Sequence, residues 1–386
     1  MITKRKICIV VNSRANYGRI KTVLRAVRDH PDLQLQLLVG ASALLQRFGD
    51  VRQIIEKDGF EISGTIHSII EGETPTTMAK STGLAIIELA TMFENLKPNV
   101  VLTVADRFET LATAVAASYM NIPLAHTQGG EITGSIDESV RHAITKLAHI
   151  HFPATQNSAN NLIKMGEDPD TIHMTGCPAM DLVLENDKKI TSEILEKYKG
   201  VGSHIDLSLP YLVVLQHPVT TEYGNGLDQI NQTIDSISKI KMQTVWLWPN
   251  VDAGSDDISK GLRVFRENYQ PDYVHFFKNF TPEDYIRLIA NCACQIGNSS
   301  SALREGSFLG VPAVNIGSRQ KGRECSSNVI HVDYNSFEII KAIEFQIKSG
   351  IYESSPIFGD GKAGVRIADI LAKASYKIQK KLHYQN

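Results

Sequence analysis

The sequence lacks the features that mark membrane proteins and nucleic-acid-binding proteins. Its longest apolar stretches are about ten residues, short of the roughly 20 that a membrane-spanning helix needs. The 40 Lys and Arg residues are balanced by 42 Asp and Glu residues, and these charges are interspersed rather than gathered into a basic patch. The first residues lead directly into an apolar run without a signal-peptide cleavage site. We therefore expect a soluble, cytoplasmic protein with neither nucleic acid nor membrane as a partner.

Cysteine is also scarce. The five cysteines are odd in number and lack the repeated pair spacing of a zinc site. They lie mostly in apolar surroundings, as buried structural thiols do. We expect reduced thiols, no bound metal and no cofactor.

The sequence does contain two series of short apolar runs separated by stretches with helical spacing. A length of 386 residues exceeds the about 250 to 300 at which a single core stops growing, so we predict two domains. Continuous apolar runs between amphipathic helices are typical of buried parallel strands. The runs are Ile7–Val11, Leu35–Gly40, Asn99–Val104, Ile122–His126 and Ile150–Phe152, followed by Tyr211–Leu215, Thr244–Trp248, Tyr273–Phe277, Cys294–Gly297 and Val311–Asn315. The sequence predicts an α/β fold of two Rossmann-like, doubly wound domains facing a cleft.

The domain boundary is predicted in a charged stretch, 185–208, that has few apolar residues. This gives an N-terminal Rossmann-like domain over 1–185 and a C-terminal one over 205–366. A last helical segment, from Ala368 to Leu382, carries lysines on one side and apolar residues on the other. We treat it as a separate terminal element, 367–386.

Candidate site residues follow the strands of the first domain, because ligands bind beyond the carboxyl ends of parallel strands. Arg14 lies in a turn that opens a helix, where it can grip an anion, although a capped turn with an exposed arginine is the simpler explanation of that motif alone. Asp106 and Arg107 place an acid beside a base after a strand; a surface ion pair is the alternative.

The segment from His126 to His142 is dense in glycine and in titratable groups. Glycine lets the backbone approach a ligand closely, and the carboxylates of Glu131, Asp137 and Glu138 can exchange protons. A simple helix cap explains part of the pattern. It does not explain so many titratable groups, so we favour a site.

In the second domain, two strand ends carry isolated polar residues. His217 titrates near neutral pH and is a candidate general acid or phosphate donor, although a lone histidine is more often structural. Asn250 lies in the Gly-containing loop after the next strand.

The strongest single signal is Gly297–Gly306, which predicts a strand, a Gly/Ser turn and a helix. The backbone N–H groups and the hydroxyls of Ser299 and Ser300 can hold a diphosphate there without a metal, and Glu305 can accept hydrogen bonds from a ribose diol. A serine-rich helix cap is the structural alternative. Arg319 and Arg323 follow in a glycine-flanked segment that can also meet phosphate.

Taken together, these segments resemble the hydrolysing UDP-N-acetylglucosamine 2-epimerase family, in its sialic and legionaminic acid biosynthesis branch. The resemblance covers essentially the whole chain. Its carriers are Ser13–Tyr17, Asp106–Glu109, Gly129–Glu131, Ser135–His142, Gly176–Pro178, His217–Thr220, Pro249–Gly254, Gly297–Ser300 and Gly317–Glu324.

The resemblance implies a GT-B-like fold, a final helix that crosses back to the first domain, and a homodimer or homotetramer. It also implies elimination of UDP from a UDP-sugar to give a glycal, then addition of water with inversion at C2. By position, Asp106 and Asp137 match the catalytic acids of the family. The matching nucleotide contacts are Arg14, Arg107, His217, Asn250, Ser299, Ser300, Glu305 and Arg319.

Two departures from the family pattern alter these expectations. Gln128 stands where the branch carries a glutamate, and an amide cannot act as a base. Either Glu131, three residues on, takes this role, or the mechanism depends on Asp106 and Asp137. The catalytic candidates are then Asp106, Glu131, Asp137 and His217, and the substrate-binding candidates also include Gln128, Arg141, His142 and Arg323. Ala43 stands where relatives carry a histidine. Both departures favour a UDP-2,4-diacetamido-trideoxyhexose over UDP-N-acetylglucosamine as the substrate.

Three other functions stay open from the sequence. A reversible, non-hydrolysing epimerase would share the fold, but Ser135–His142 resembles the hydrolysing branch. A GT-B glycosyltransferase would need an acceptor site that the sequence does not exclude. An inactive sugar-nucleotide sensor is conceivable because of Gln128.

Overall fold

The computed structural model describes residues 4–46, 50–191, 193–375 and 377–383. The first half of the chain forms a six-stranded sheet in which every strand pair is parallel, with the order β3-β2-β1-β4-β5-β6. Its strands are β1 (Arg5–Val11), β2 (Leu33–Gly40), β3 (Gly64–Ile66), β4 (Val100–Val104), β5 (Leu124–Thr127) and β6 (Ile150–Phe152).

Helices cover both faces of this sheet. They are α1 (Arg14–Asp29), α2 (Val51–Lys57), α3 (Pro75–Leu96), α4 (Phe108–Tyr119), α5 (Asp137–Leu147), α6 (Gln156–Lys164) and α7 (Pro178–Glu185). Capping hydrogen bonds stabilise the start of two of these helices. The Ser13 hydroxyl accepts the Asn16 N–H at the start of α1, and Thr74 and Thr77 form a capping box at the start of α3.

The second half forms a seven-stranded sheet with the order β13-β12-β11-β8-β9-β10-β7. Its elements are α8 (Glu193–Glu196), β7 (Gly200–Gly202), β8 (Leu212–Leu215), α9 (Gly226–Ile240), β9 (Thr244–Leu247), α10 (Ser255–Tyr269), β10 (Val274–Phe277), α11 (Pro282–Ala290), β11 (Cys294–Gly297), α12 (Ser300–Leu303), α13 (Glu305–Leu309), β12 (Ala313–Ile316), β13 (Val329–Val332) and α14 (Ser336–Ser349). Only β7 is antiparallel among the paired strands of the described residues. The two doubly wound α/β units confirm the predicted fold class.

The stretch predicted as a solvated linker is partly structured. It supplies α8 and the edge strand β7, and its Ile205 and Leu207 lie in the core of the second domain. The second sheet therefore begins before the predicted boundary at 205. The linker's few apolar residues are enough for a short edge strand, which needs a partner on one side only.

The chain returns to the first domain at its C-terminal end. Helix α15 (Ala363–Lys373) buries Ile367, Ala368 and Leu371 in the same core as β1 and α1. The Asp181 carboxylate of α7 accepts the first two N–H groups of α15, at 2.9 and 2.6 Å.

This helix starts and ends earlier than the predicted 368–382. It ends where the Arg5 guanidinium donates to the carbonyl oxygens of Leu371 and Ala374, both at 2.7 Å. Beyond it, Lys380 contacts the first domain by donating to the carbonyl oxygens of Thr145 and Ala148. No helix within the described residues is long and apolar enough to cross a membrane.

A matched pair of substitutions tests how much α15 stabilises the first domain. Leu371 is fully buried, whereas Val365 on the same helix is 61% exposed. We expect Leu371→Ala to lower the free energy of unfolding by about 2–5 kcal/mol, because it leaves a cavity in the core. Val365→Ala should change it by less than about 0.5 kcal/mol. Urea unfolding followed by circular dichroism measures both, and equal effects would show that α15 is not part of that core.

Candidate active site

The site lies where the strand order of each sheet reverses. In the first sheet the reversal falls between β1 and β4, and in the second between β8 and β11. Loops at such a point splay apart and leave a crevice outside the carboxyl ends of the strands. The two crevices face each other and form one cleft. The predicted residues that line it are Arg14, Asp106, Arg107, Asp137, His217, Asn250, Ser299, Ser300, Glu305, Arg319 and Arg323.

Four other predicted residues do not line the cleft. Gln128 follows β5 with a left-handed backbone, φ 63°, and its amide donates to the Cys177 sulfur at 3.3 Å. His142 pairs with Glu138 at 2.9 Å. Arg141 and Glu131 are buried behind the cleft wall in ion pairs. All four are close in sequence to residues that line the cleft, but their side chains point elsewhere. Gln128 and Glu131 lie in the loop after β5, and Arg141 and His142 lie on the second turn of α5.

Ala43 is not at the cleft either. It is fully buried in the core of the first domain, in a 3₁₀ turn after β2. The structure therefore shows no direct effect of Ala43 on the shape of the cleft.

Asp106 is held as a carboxylate by surrounding arginines. The Arg141 guanidinium donates to it, and Arg323 Nη2 lies 3.7 Å from its Oδ2. Arg141 is itself fixed by hydrogen bonds to the Glu131 carbonyl oxygen at 2.8 Å and to the Thr133 hydroxyl at 3.1 Å. Burial alone would raise the pKa of Asp106, but the positive charges of Arg141, Arg323 and Arg19 outweigh it and lower that pKa below its ordinary range.

Asp137 has the opposite environment. It is the first residue of α5, and the closest cation among its described neighbours is Arg319, with Nη2 3.7 Å from Oδ2. Burial, followed by the negative charge of Asp106, raises the pKa of Asp137 from 3.8 to about 6. Two carboxyl groups with pKa values pushed apart in one cleft are typical of acid/base chemistry.

The second domain contributes a polar turn between β11 and α12. Gly297 has φ 123°, and a side chain there would collide with the Leu215 carbonyl group. The Asn298 side chain joins this turn to the β8 loop, accepting the His217 N–H at 2.7 Å and donating to the His217 carbonyl oxygen at 2.8 Å. The turn exposes the Ser299 and Ser300 hydroxyl groups to the cleft.

The helix predicted after this turn is broken in two. Helices α12 and α13 have only four and five residues, and Arg304 stands between them with ψ −75°. A helix this short has a small dipole. The attraction for an anion therefore comes mainly from hydroxyl groups and from the arginines around the cleft.

His217 is neutral in this cleft. Burial and then the positive charges of Arg319 and Arg14 keep its pKa well below 6.5. Its Nδ1 accepts the Asn250 backbone N–H at 3.1 Å, so the ring proton is assigned to Nε2. The imidazole can thus donate one hydrogen bond into the cleft.

Two arginines of the first domain reach across to the second. Arg14 donates to the carbonyl oxygens of Trp248, at 2.9 Å, and Lys278. Burial lowers the pKa of Arg14 to about 10, so it stays charged at neutral pH. Arg107 pairs with Asp252 at 2.8 Å and with Glu109 at 3.2 Å. These contacts hold the two walls of the cleft together.

Two arginines at this site were not predicted from the sequence. Arg19 donates to the Ser300 hydroxyl across the domain boundary. Arg19 lies on the second turn of α1, which begins at Arg14. Arg304 stood inside the Gly297–Gly306 motif, but only its pairing with Glu131 in the structure indicates a role.

Among the described residues, no group of three or more His, Cys, Asp or Glu could hold a metal ion.

Comparison with known proteins adds a family to this geometry. Residues 25–372 match the family described as UDP-N-acetylglucosamine 2-epimerase. The chain is 34% identical over 367 residues to the UDP-N,N'-diacetylbacillosamine 2-epimerase (hydrolyzing) of Legionella pneumophila subsp. pneumophila, covering 95% of each. It is 29% identical over 361 residues to the UDP-N-acetylglucosamine 2-epimerase of Neisseria meningitidis serogroup B, covering 93% of this chain and 91% of that protein.

A solved structure shows the same fold. It is the Methanocaldococcus jannaschii UDP-GlcNAc 2-epimerase in complex with UDP-GlcNAc and UDP, with a TM-score of 0.80 and 18% identity. The match covers 96% of this chain and 100% of that one.

The opposite environments of the two cleft carboxyl groups predict opposite effects on stability. Because the folded-state pKa of Asp137 is raised, its ionisation above about pH 6 costs the folded state free energy. Asp137→Asn should therefore stabilise the protein at pH 7.5, by on the order of 1–3 kcal/mol. This gain should shrink as the pH falls from 6 to 4. The folded-state pKa of Asp106 is lowered, so Asp106→Asn should destabilise the protein at pH 7.5.

Thermal unfolding of both variants at pH 7.5 and pH 4.5 measures these effects. Each variant is a control for the other, because both replace a carboxyl group by an amide in the same cleft. Shifts of the same sign at pH 7.5 would contradict the opposite directions of the two pKa shifts.

Proposed function

We propose that this chain, which belongs to the UDP-N-acetylglucosamine 2-epimerase family, is a hydrolysing 2-epimerase of a UDP-linked N-acetylated amino sugar. It would convert the UDP-sugar and water into UDP and the free sugar inverted at C2. The observation that carries the proposal is the pair of cleft carboxyl groups whose pKa values are shifted in opposite directions, Asp106 and Asp137, facing a hydroxyl- and arginine-lined wall of the second domain.

The second domain is proposed to hold the UDP. Ser299, Ser300 and Arg319 supply donors for the diphosphate, and the neutral His217 donates through Nε2. Glu305 lines the same wall and can accept hydrogen bonds from the ribose.

Arg14 and Arg107 close the cleft from the first domain, which excludes water and strengthens these contacts.

In the proposed first step, the Asp137 carboxylate removes the C2 proton. The C2–H electron pair forms the C1–C2 double bond of a glycal, and the C1–O bond breaks toward UDP. A base with a pKa of about 6 is ionised at neutral pH yet basic enough to accept this proton. The charge that develops on the departing diphosphate meets the donors of the second domain.

In the proposed second step, Asp106 directs water to the glycal. Its carboxylate accepts a proton from the water whose hydroxyl adds to C1, and passes that proton to C2 on the opposite face. Asp106 is thereby ionised before and after the step, as its arginine partners favour. Asp137 then releases its proton to solvent. Glu131 has no part in this scheme, because Arg304 and Arg323 engage its carboxylate behind the cleft wall.

The proposed substrate is a UDP-2,4-diacetamido-trideoxyhexose such as UDP-N,N'-diacetylbacillosamine. Support comes from the relative of that name in Legionella pneumophila, at 34% identity, against 29% for the Neisseria meningitidis enzyme named for UDP-N-acetylglucosamine.

An acceptor-free assay tests reaction and substrate together. With UDP-N,N'-diacetylbacillosamine, we expect one UDP released per free sugar formed, and turnover faster than with UDP-N-acetylglucosamine. A coupled UDP assay and chromatography of the sugar measure both. An inverted UDP-sugar without free UDP would indicate a reversible epimerase, and no UDP release without an acceptor would indicate a glycosyltransferase. Equal or faster turnover of UDP-N-acetylglucosamine would refute the proposed substrate.

The base assignment predicts a particular pH dependence. The ratio kcat/KM should rise with pH through an apparent pKa of about 6, because Asp137 must be ionised to accept the proton. Asp137→Asn should lower kcat by about 10²- to 10⁴-fold, since an amide accepts no proton. Its affinity for UDP, measured by calorimetry, should remain. An unchanged acidic limb in Asp137→Glu, or an active Asp137→Asn enzyme, would contradict the assignment.

A further inference from the structure

Five charged side chains of alternating sign form a row across the boundary between the two domains; Asp106 and Arg323 line the cleft, and the other three are buried behind its wall. Arg141 pairs with Asp106, and Arg323 Nη2 lies 3.7 Å from Asp106 and 3.3 Å from Glu131. Glu131 in turn pairs with Arg304. Each of these side chains is less than a tenth exposed. The row is therefore a set of buried charges that links the two domains.

Arg304 ends this row without reaching the cleft. Its neighbours in sequence, Ser300 and Glu305, line the cleft, but the Arg304 side chain does not and is fully buried. One of its terminal nitrogens donates to the Glu131 carboxylate and the other to the Cys177 sulfur at 3.5 Å. Arg304 therefore ties the wall that would hold UDP to the loop that carries Glu131.

The distances indicate a competition for Arg323. This guanidinium lies between two carboxylates and is closer to Glu131 than to Asp106. A buried carboxylate without a partner is strongly unfavourable. If Arg304 were absent, Glu131 would have Arg323 as its remaining close cation among the described residues, and Arg323 would move toward it and away from Asp106.

We propose that Arg304 is a positioning residue: by pairing with Glu131 it leaves Arg323 on Asp106, the carboxylate that faces the sugar. The inference rests on the proposed function, because it concerns the same cleft. Arg304 touches no substrate in this account and acts through Glu131 and Arg323. Neutralising Arg304 should consequently impair the chemical step more than nucleotide binding.

The experiment compares Arg304→Met with the double variant Arg304→Met/Glu131→Gln. In the single variant we expect kcat to fall by about 10- to 100-fold, the loss that a displaced catalytic group brings. Its affinity for UDP should stay close to that of the wild type. The double variant should regain most of the lost kcat, because no buried carboxylate is left to draw Arg323 away. Arg366→Met, which removes a guanidinium from a surface pair with Asp360, is the matched control and should leave kcat unchanged.

Several results would overturn the inference. One is wild-type kcat in Arg304→Met. Another is a parallel loss of kcat and UDP affinity in Arg304→Met that adding Glu131→Gln does not repair. A structural role of Arg304, or a catalytic role of Glu131, would give that result. If Arg304→Met does not fold, Arg304→Lys keeps the positive charge that pairs with Glu131, so its kcat should stay close to that of the wild type. A loss of kcat in Arg304→Lys as large as the one expected for Arg304→Met would overturn the inference. A wild-type protein that releases no UDP from any UDP-sugar would refute the proposed function itself, which is a distinct outcome.

Discussion

The arrangement of this protein depends on neutralising charge that is buried between its two domains. Asp106 and Glu131 come from the first domain and Arg304 and Arg323 from the second, and none of the four is more than a tenth exposed. Charges removed from water are tolerated only when they are paired with good geometry. The pairing therefore specifies how the two domains face each other. It thereby also specifies how the carboxyl ends of the two sheets face each other.

The same arginines divide the work of the cleft. Arg141 and Arg323 keep Asp106 ionised, and the negative charge of Asp106 helps to raise the pKa of Asp137 to about 6. One charge cluster thus gives two neighbouring carboxyl groups different chemistry. A reaction that takes a proton from one face of a sugar and returns one to the other needs two such groups, and the proposed mechanism assigns each a face.

The fold could be predicted from the sequence because long apolar runs mark buried parallel strands. The short edge strands β3, β7 and β13 lack such runs and were missed. Eleven of the site residues could be placed because strand ends converge at the reversal of strand order. The directions of Gln128 and Glu131 could not be predicted, because the backbone of the loop after β5 decides them. Those of Arg141 and His142 depend on where α5 begins. The pairing of Arg304 with Glu131 is visible only once the domains meet.

Proton NMR of the reaction in D₂O tests the central claim most directly, because it reports the product, its configuration and the origin of the C2 hydrogen. The account predicts free UDP and a free sugar, inverted at C2 and carrying deuterium there. A C2-inverted sugar still attached to UDP, or a free sugar that retains its original hydrogen at C2, would contradict it.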